Sequence, residues 1–162
     1  MTAPDTATAA SSDVIDALNA LLTGSRDGAK GDRDAAELVH RADIKAILGQ
    51  HAAENDRHAA EMESAIRRLG GEPDQGGKLG AKARRLAQGV VAAVTGSDDT
   101  AVLSQTESGL DQAERAYALA LRQPLDAETE ALVRRQWGEI AAQHTRIAEL
   151  LRQDPGKAQA NG

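Results

Sequence analysis

The stretch IKAILGQHAAENDRHAAEMESAIRRLGGEP, residues 44–73, carries two messages at once. Leu48, Met62, Ile66 and Leu69 recur at three- and four-residue spacing, the period of a helix with one apolar face. Gly70-Gly71 followed by Pro73 is a stop signal, because glycine accepts the left-handed turn that ends a helix and proline cannot continue one. At about 100° per residue, His51, Asn55 and His58 fall on the same face as the apolar residues, and Glu54 and Glu61 at its edge. The spacing therefore predicts a long helix that carries polar side chains into the interior.

Similar periods flank it. From Asp13 to about Ala42, Val14, Ile15, Leu18, Leu21 and Leu22 form a stripe, with Asp13 as the expected N-cap. Residues 23–34 hold Gly24, Gly28 and Gly31 and no large apolar side chain. Locally they read as a loop. Read in phase, the stripe runs on through Ser25, Ala29, Asp32, Ala36 and Val39, against a penalty of about 1 kcal/mol per glycine. A shorter and weaker segment, about Lys78 to Val94, carries Lys78, Lys82, Arg84 and Arg85, expected to be solvated. Gly96 ends it. From about Asp99 to Leu121, Val102, Leu103, Thr106, Leu110, Ala113, Tyr117 and Leu121 share a face, with Glu107 at the margin and Asp111 further out. After Pro124, a last segment from near Asp126 to Arg152 has Leu132, Val133, Gln136, Ile140, Gln143, Ile147, Leu150 and Leu151 in its stripe, flanked by Trp137 and His144.

Composition agrees. The chain has 162 residues, 41% of them hydrophobic, with Tyr117 and Trp137 its sole aromatics and no phenylalanine. About a fifth is alanine, which suits closely packed helices and starves a β-sandwich of the aromatic and β-branched residues it needs. Nineteen basic against 25 acidic residues give a net charge of −6, which argues against nucleic acid as a partner. The absence of cysteine removes disulfides, thiolate metal sites and a thiol nucleophile. Residues 1–12 lack the charged start and apolar stretch of a signal peptide, and Leu86–Val94 falls far short of the ~20 residues that span a bilayer. These features predict a cytoplasmic protein with no membrane partner, disordered tails over residues 1–12 and 153–162, and one domain over 13–152. No Gly-x-Ser-x-Gly, P-loop or His-Glu-x-x-His motif is present, so hydrolase chemistry is unsupported and an enzymatic role disfavoured.

Four long helices with a short one between the second and third long ones make a four-helix bundle with a crossover, the layout of ferritin-like folds; an irregular five-helix bundle is the alternative. Measured from the end near Asp43, the residues Asp32, His51, Asn55, Glu107, Gln143 and His144 all lie ~8–12 residues, or ~12–18 Å, deep. Buried polar groups are costly unless paired, so a shared layer implies a hydrogen-bond network or a metal. Ferritin-like bundles hold two irons or manganeses with a Glu on two helices and Glu-x-x-His on the other two. That signature is incomplete: Glu54 precedes His58 by four, Glu139 precedes His144 by five, and His58-x-x-Glu61 is reversed. The candidate iron or manganese ligands are Glu37, His58, Glu61, Glu107 and His144, with Asp32, His51, Asn55, Asp111, Gln136 and Gln143 as supporting or alternative groups. Bland assignments compete with each: a hydrogen-bonded histidine, a structural amide, a solvated carboxylate.

The chain also resembles a bacterial family of ferritin-like bundles of unknown function, over Leu18 to Leu150. The resemblance rests on Leu18-Asn19-x-Leu21-Leu22, Asp27-Gly28-x-x-Gly31-x-Arg33-x-Ala35-Ala36-Glu37, Ala59-Ala60-Glu61-Met62 and Leu69-Gly70-Gly71-Glu72-Pro73. It continues through Thr95-Gly96-x-Asp98-Asp99, Glu107-x-Gly109-x-Asp111, Tyr117-x-x-Ala120-Leu121, Arg135-Gln136 and His144-x-x-Ile147. It implies that the first segment is one long helix despite its glycines, and that the third is the crossover. It supplies no activity. Glu37, Glu61, Glu107, Asp111, Gln136 and His144 keep the family pattern. Asp32 replaces a tyrosine, His58 a phenylalanine, Leu110 a glutamate, and Ala83-Arg84-Arg85-Leu86 a His-Arg-x-Trp, which marks a divergent member. The resulting expectation is a structural or stress-associated bundle, working through self-association, as a dimer, or through a protein partner, with a metal-binding bundle of possible oxidative chemistry as the alternative.

Overall fold

The computed structural model describes residues 6–76 and 98–153. Among them are four helices and no strand: α1 (Thr6–Leu38), α2 (Ala42–Arg68), α3 (Asp99–Ala120) and α4 (Ala127–Gln153). The expected short helix over 78–94 and residues 1–5 and 154–162 of the expected tails lie outside the described residues, whereas residues 6–12 and Gln153, assigned to those tails, are helical.

α1 runs unbroken through Gly24, Gly28 and Gly31, as its conserved phase of apolar positions requires. Leu18, Leu22 and Ala29 are buried along one face, and this burial outweighs the weak propensity of the glycines. Its start at Thr6 corrects the reading of Asp13 as the N-cap: Asp13 lies within the helix. α2 ends as its glycines predict. Gly70 takes φ 79°, its N–H reaches Arg67 O at 3.0 Å, and the Gly71 N–H reaches Ile66 O at 2.9 Å, so two carbonyls of the last turn are satisfied. α3 is capped by Asp98, which accepts from Thr100 N at 3.0 Å.

Hydrogen bonds at the two ends set the directions. Val39, His40 and Arg41 turn α1 into α2, and the backbone N–H groups of His40 and Arg41 donate to the Asp99 carboxylate at 2.8 and 3.0 Å. α3 therefore begins at that turn. At the opposite end Gly71 rests on Ile15 of α1, while Arg68 of α2 pairs with Asp126, just before α4, at 3.2 Å. Asn19 brackets the chain leaving α2, donating to Glu72 O at 3.1 Å and accepting from Asp74 N at 2.7 Å. α2 ends away from the α1–α2 turn and α3 begins at it, so α2 and α3 run in the same direction and α1 and α4 oppose them. This is the up-down-down-up order of a bundle with one long crossover. α1 packs most extensively on α2, α3 on α4 and α1 on α3, whereas α2 and α4 approach closely at few points. The core is Leu18, Leu21, Leu22, Ile44, Leu48, Met62, Ile66, Leu103, Val133, Ile140, Ile147 and Leu151 with Tyr117.

Candidate functional site

The polar residues expected inside are inside. Asp32, His51, Asn55, His58, Gln136 and Gln143 are buried, together with Ser25 and Thr129. They do not form one layer. The structure divides them into an upper and a lower group along the α2–α4 seam, a pair between α1 and α2, and a cluster on the outer α3–α4 face.

The lower group is a network reaching all four helices. Ser25 of α1 hydrogen-bonds the Tyr117 hydroxyl of α3, which donates to Gln136 Oε1 of α4 at 2.9 Å. The Gln136 amide donates to Glu61 Oε2 at 2.8 Å and to the His58 carbonyl of α2 at 3.3 Å. Arg135 bridges Glu61 at 2.8 Å and Glu139 at 3.2 Å. Glu139 also takes Arg57 and His58 Nε2, each at 2.6 Å. Burial alone would push the Glu139 carboxyl up, but the donors from His58, Arg57 and Arg135 overcome it and hold the group down at about 2. Glu61 is lowered in the same manner, its desolvation outweighed by Arg135 and Gln136. Burial pushes the Tyr117 phenol up to about 12, so it remains a donor. Below this network a cleft of about 290 Å³ opens between Ser64, Ala65 and Arg68 of α2 and Glu128 and Leu132 of α4.

In the upper group Gln143 Nε2 donates to Glu54 Oε2 at 2.6 Å, and Gln50 to Glu54 Oε1 at 3.0 Å. Between α1 and α2, Asn55 donates to Asp32 Oδ2 at 3.0 Å. A Cβ on Gly28 would lie 3.0 Å from Asn55 Nδ2, so this glycine admits the amide to the α1–α2 contact. Burial pushes the Asp32 carboxyl up to about 7, against the lowering effects of Asn55 and Arg33. His51 is buried with neither ring nitrogen bonded, and desolvation brings it down to about 4.

On the outer α3–α4 face, half-buried His144 meets Glu114 through Nδ1 at 2.5 Å and faces Glu107 through Nε2 at 4.0 Å. Asp111 pairs with Arg115 at 2.6 Å, and Glu37 is exposed on α1. The five candidate ligands are thus spread over three places. His58 and Glu61 share the lower network, Glu107 and His144 face each other outside, and Glu37 stands apart. Among the described residues no three His, Cys, Asp or Glu side chains gather to hold one metal ion.

Sequence reasoning missed Glu139 and Glu114 as partners of His58 and His144. A signal for Glu139 existed: it lies three residues after Gln136 and four before Gln143, on the same side of α4, and four after Arg135.

The family model of a domain of unknown function, DUF2383, matches residues 13–123. Among solved structures, the chain is similar to a two-domain protein of Anabaena variabilis that contains DJ-1/ThiJ/PfpI-like and ferritin-like domains. The TM-score is 0.69 at 16% identity, over 88% of this chain and 36% of that one. The chain thus spans about a third of that protein's length, and the likeness is one of fold. No curated protein matches the sequence.

Proposed function

The chain belongs to the DUF2383 family, and on that premise we propose that it is a structural or stress-associated ferritin-like bundle, not an enzyme, that works by associating with a second copy of itself in the cytoplasm. The observation that carries this is the commitment of the ionisable groups of the lower network to one another. Glu61, Glu139, Arg57, Arg135, His58 and Gln136 neutralise and hydrogen-bond each other across the α2–α4 seam. Such a network stiffens the bundle and offers no free nucleophile or base. What remains for recognition is the outside, where α2 exposes Ala42, Ala46, Gly49, Ala53 and Ala60 along one side, a face narrow enough for another helix to approach closely. Among the described residues no helix is long and apolar enough to cross a membrane. Equilibrium sedimentation of the full chain tests the proposal. A dimer that dissociates on Ala53→Glu is expected; a strict monomer at high concentration, with no protein retained in a pull-down, would overturn it.

The alternative, a bundle holding iron or manganese with oxidative chemistry, is favoured by one observation, the placement of His144 between Glu114 and Glu107. Elemental analysis of protein purified without chelator and after loading with iron or manganese decides it. Metal in stoichiometric amount and lost on His144→Ala supports it, and protein that stays metal-free after loading ends it.

A further inference from the structure

Most buried polar groups of the seam satisfy one another; the unpartnered atoms concentrate at its upper level, with one more, on His58, in the lower network. Among the described residues, the buried side-chain nitrogens and oxygens without a partner are both ring nitrogens of His51, Nδ1 of His58 and Oε1 of Gln143. His51 is 1% exposed. With neither ring nitrogen bonded, the neutral imidazole keeps a bare lone pair on one of them and an unpaired N–H on the other. Gln143 comes from α4 at the same height. Its amide nitrogen is pinned to Glu54 Oε2 at 2.6 Å, which leaves its carbonyl oxygen beside the same carboxylate. His51 and Glu54 are three residues apart on α2, so they share a face within one turn. One imidazole nitrogen and the Gln143 amide oxygen are a surplus of unpaired acceptors beside a Glu54 carboxylate that already accepts from Gln50 and Gln143, and unpaired buried acceptors are costly. A Lewis-acidic guest relieves that surplus.

We propose that His51, Glu54 and Gln143 form a site for a single borderline divalent transition-metal ion, of the zinc or cobalt class, ligated by one nitrogen and two oxygens. An imidazole selects such ions over calcium or magnesium, and three protein ligands leave a position for water. Gln50, which donates to Glu54 Oε1 at 3.0 Å, orients the carboxylate from behind. Half-buried Glu54 marks the entry. Arg146, 3.5 Å from Gln50 Oε1, places an opposing charge at that entry and weakens binding. The site shares no residue with Glu107, Glu114 and His144 and does not rest on the function proposed above.

Titration of the tag-free, chelator-stripped full chain with Co²⁺ at pH 7 tests it, read by the visible ligand-field bands. One cobalt per chain is expected, displaced by Zn²⁺. His51→Leu and Glu54→Gln should each weaken binding at least about tenfold, Arg146→Ala should tighten it, and His144→Ala should leave it unchanged. If His51→Leu fails to fold by circular dichroism, His51→Asn and Glu54→Gln carry the test. Absence of cobalt bands in the wild type, or bands that survive the His51 and Glu54 substitutions, overturns the proposal. Bands lost only in His144→Ala overturn it too and transfer the metal to the outer face.

Discussion

Toward α1, α2 is joined mainly by small and apolar groups: Gly28 admits Asn55, Gly71 receives Ile15, and Leu18, Leu22, Met62 and Ile66 fill the interior with no exposure, with the Asp32–Asn55 couple and the Arg26–Glu63 and Arg33–Asp56 ion pairs beside them. Toward α4 the same helix turns Gln50, Glu54, Arg57, His58, Glu61 and Arg68, and long charged side chains bridge a wider gap. One helix thus has a close-packed side and a polar side. Close packing responds to the volume of a side chain and little to pH or salt, whereas the polar seam responds to all three, because its energy lies in charge pairing and desolvation.

The largest expected effect is on the packed side. Leu22→Ala should cost about 3 kcal/mol, measured by urea denaturation, and the loss should be the same at low and high salt. An equal loss from any single charge-neutralising change in the seam would break the contrast.

Next is pH. His51 has a folded-state value of about 4 against an ordinary 6.5, so the unfolded chain binds its proton first. Its contribution is full above 6.5 and is lost as pH falls toward 4. Asp32 is the reverse: raised from 3.8 to about 7, it costs stability progressively as pH rises through that interval. The two oppose each other between pH 4 and 6.5. Asp32→Asn should therefore give a chain whose stability climbs with pH there, and His51→Leu one whose stability declines, with slopes approaching ~1.4 kcal/mol per pH unit. Denaturation midpoints across pH 4–7 check both; parallel slopes in the two variants would refute the assignment.

A smaller effect, about 1–2 kcal/mol, is expected of Glu139→Leu, which leaves His58, Arg57 and Arg135 without their shared acceptor. Its loss should shrink in Arg57→Met/Glu139→Leu, a double-mutant measurement that sharpens the distinction between a paired seam and a packed interface. Smallest is Gly31→Ala. A Cβ there meets nothing within 4 Å, so the change should stabilise α1 by about 0.5–1 kcal/mol. Gly28→Ala should yield less, since its Cβ would press Asn55 at 3.0 Å. Equal thermal shifts for the two would remove the special role of Gly28.

Much of this was legible in the chain. The stripe through Ser25, Ala29, Asp32 and Val39 kept its phase across three glycines, and α1 is one helix. The inward positions of His51, Asn55, His58, Gln136 and Gln143 followed from a 100° step alone, and all five are buried. Their partners did not follow. An angle and a height say which way a side chain starts, not which neighbour lies across a seam several ångströms wide. Equal height therefore suggested one layer, where the structure has separate couples: Asp32 with Asn55, Gln143 with Glu54, His144 with Glu114.

Periodicity, glycine-proline stops and an aromatic-poor, alanine-rich composition were enough to specify an all-α bundle, because helix geometry is local and repeats every 3.6 residues. Tertiary structure alone decided that Glu61 and Glu139 would be shared among arginines, and that His51 would be left with neither nitrogen bonded. Pairing and desolvation depend on distances between residues far apart in the chain, and no local period encodes those distances.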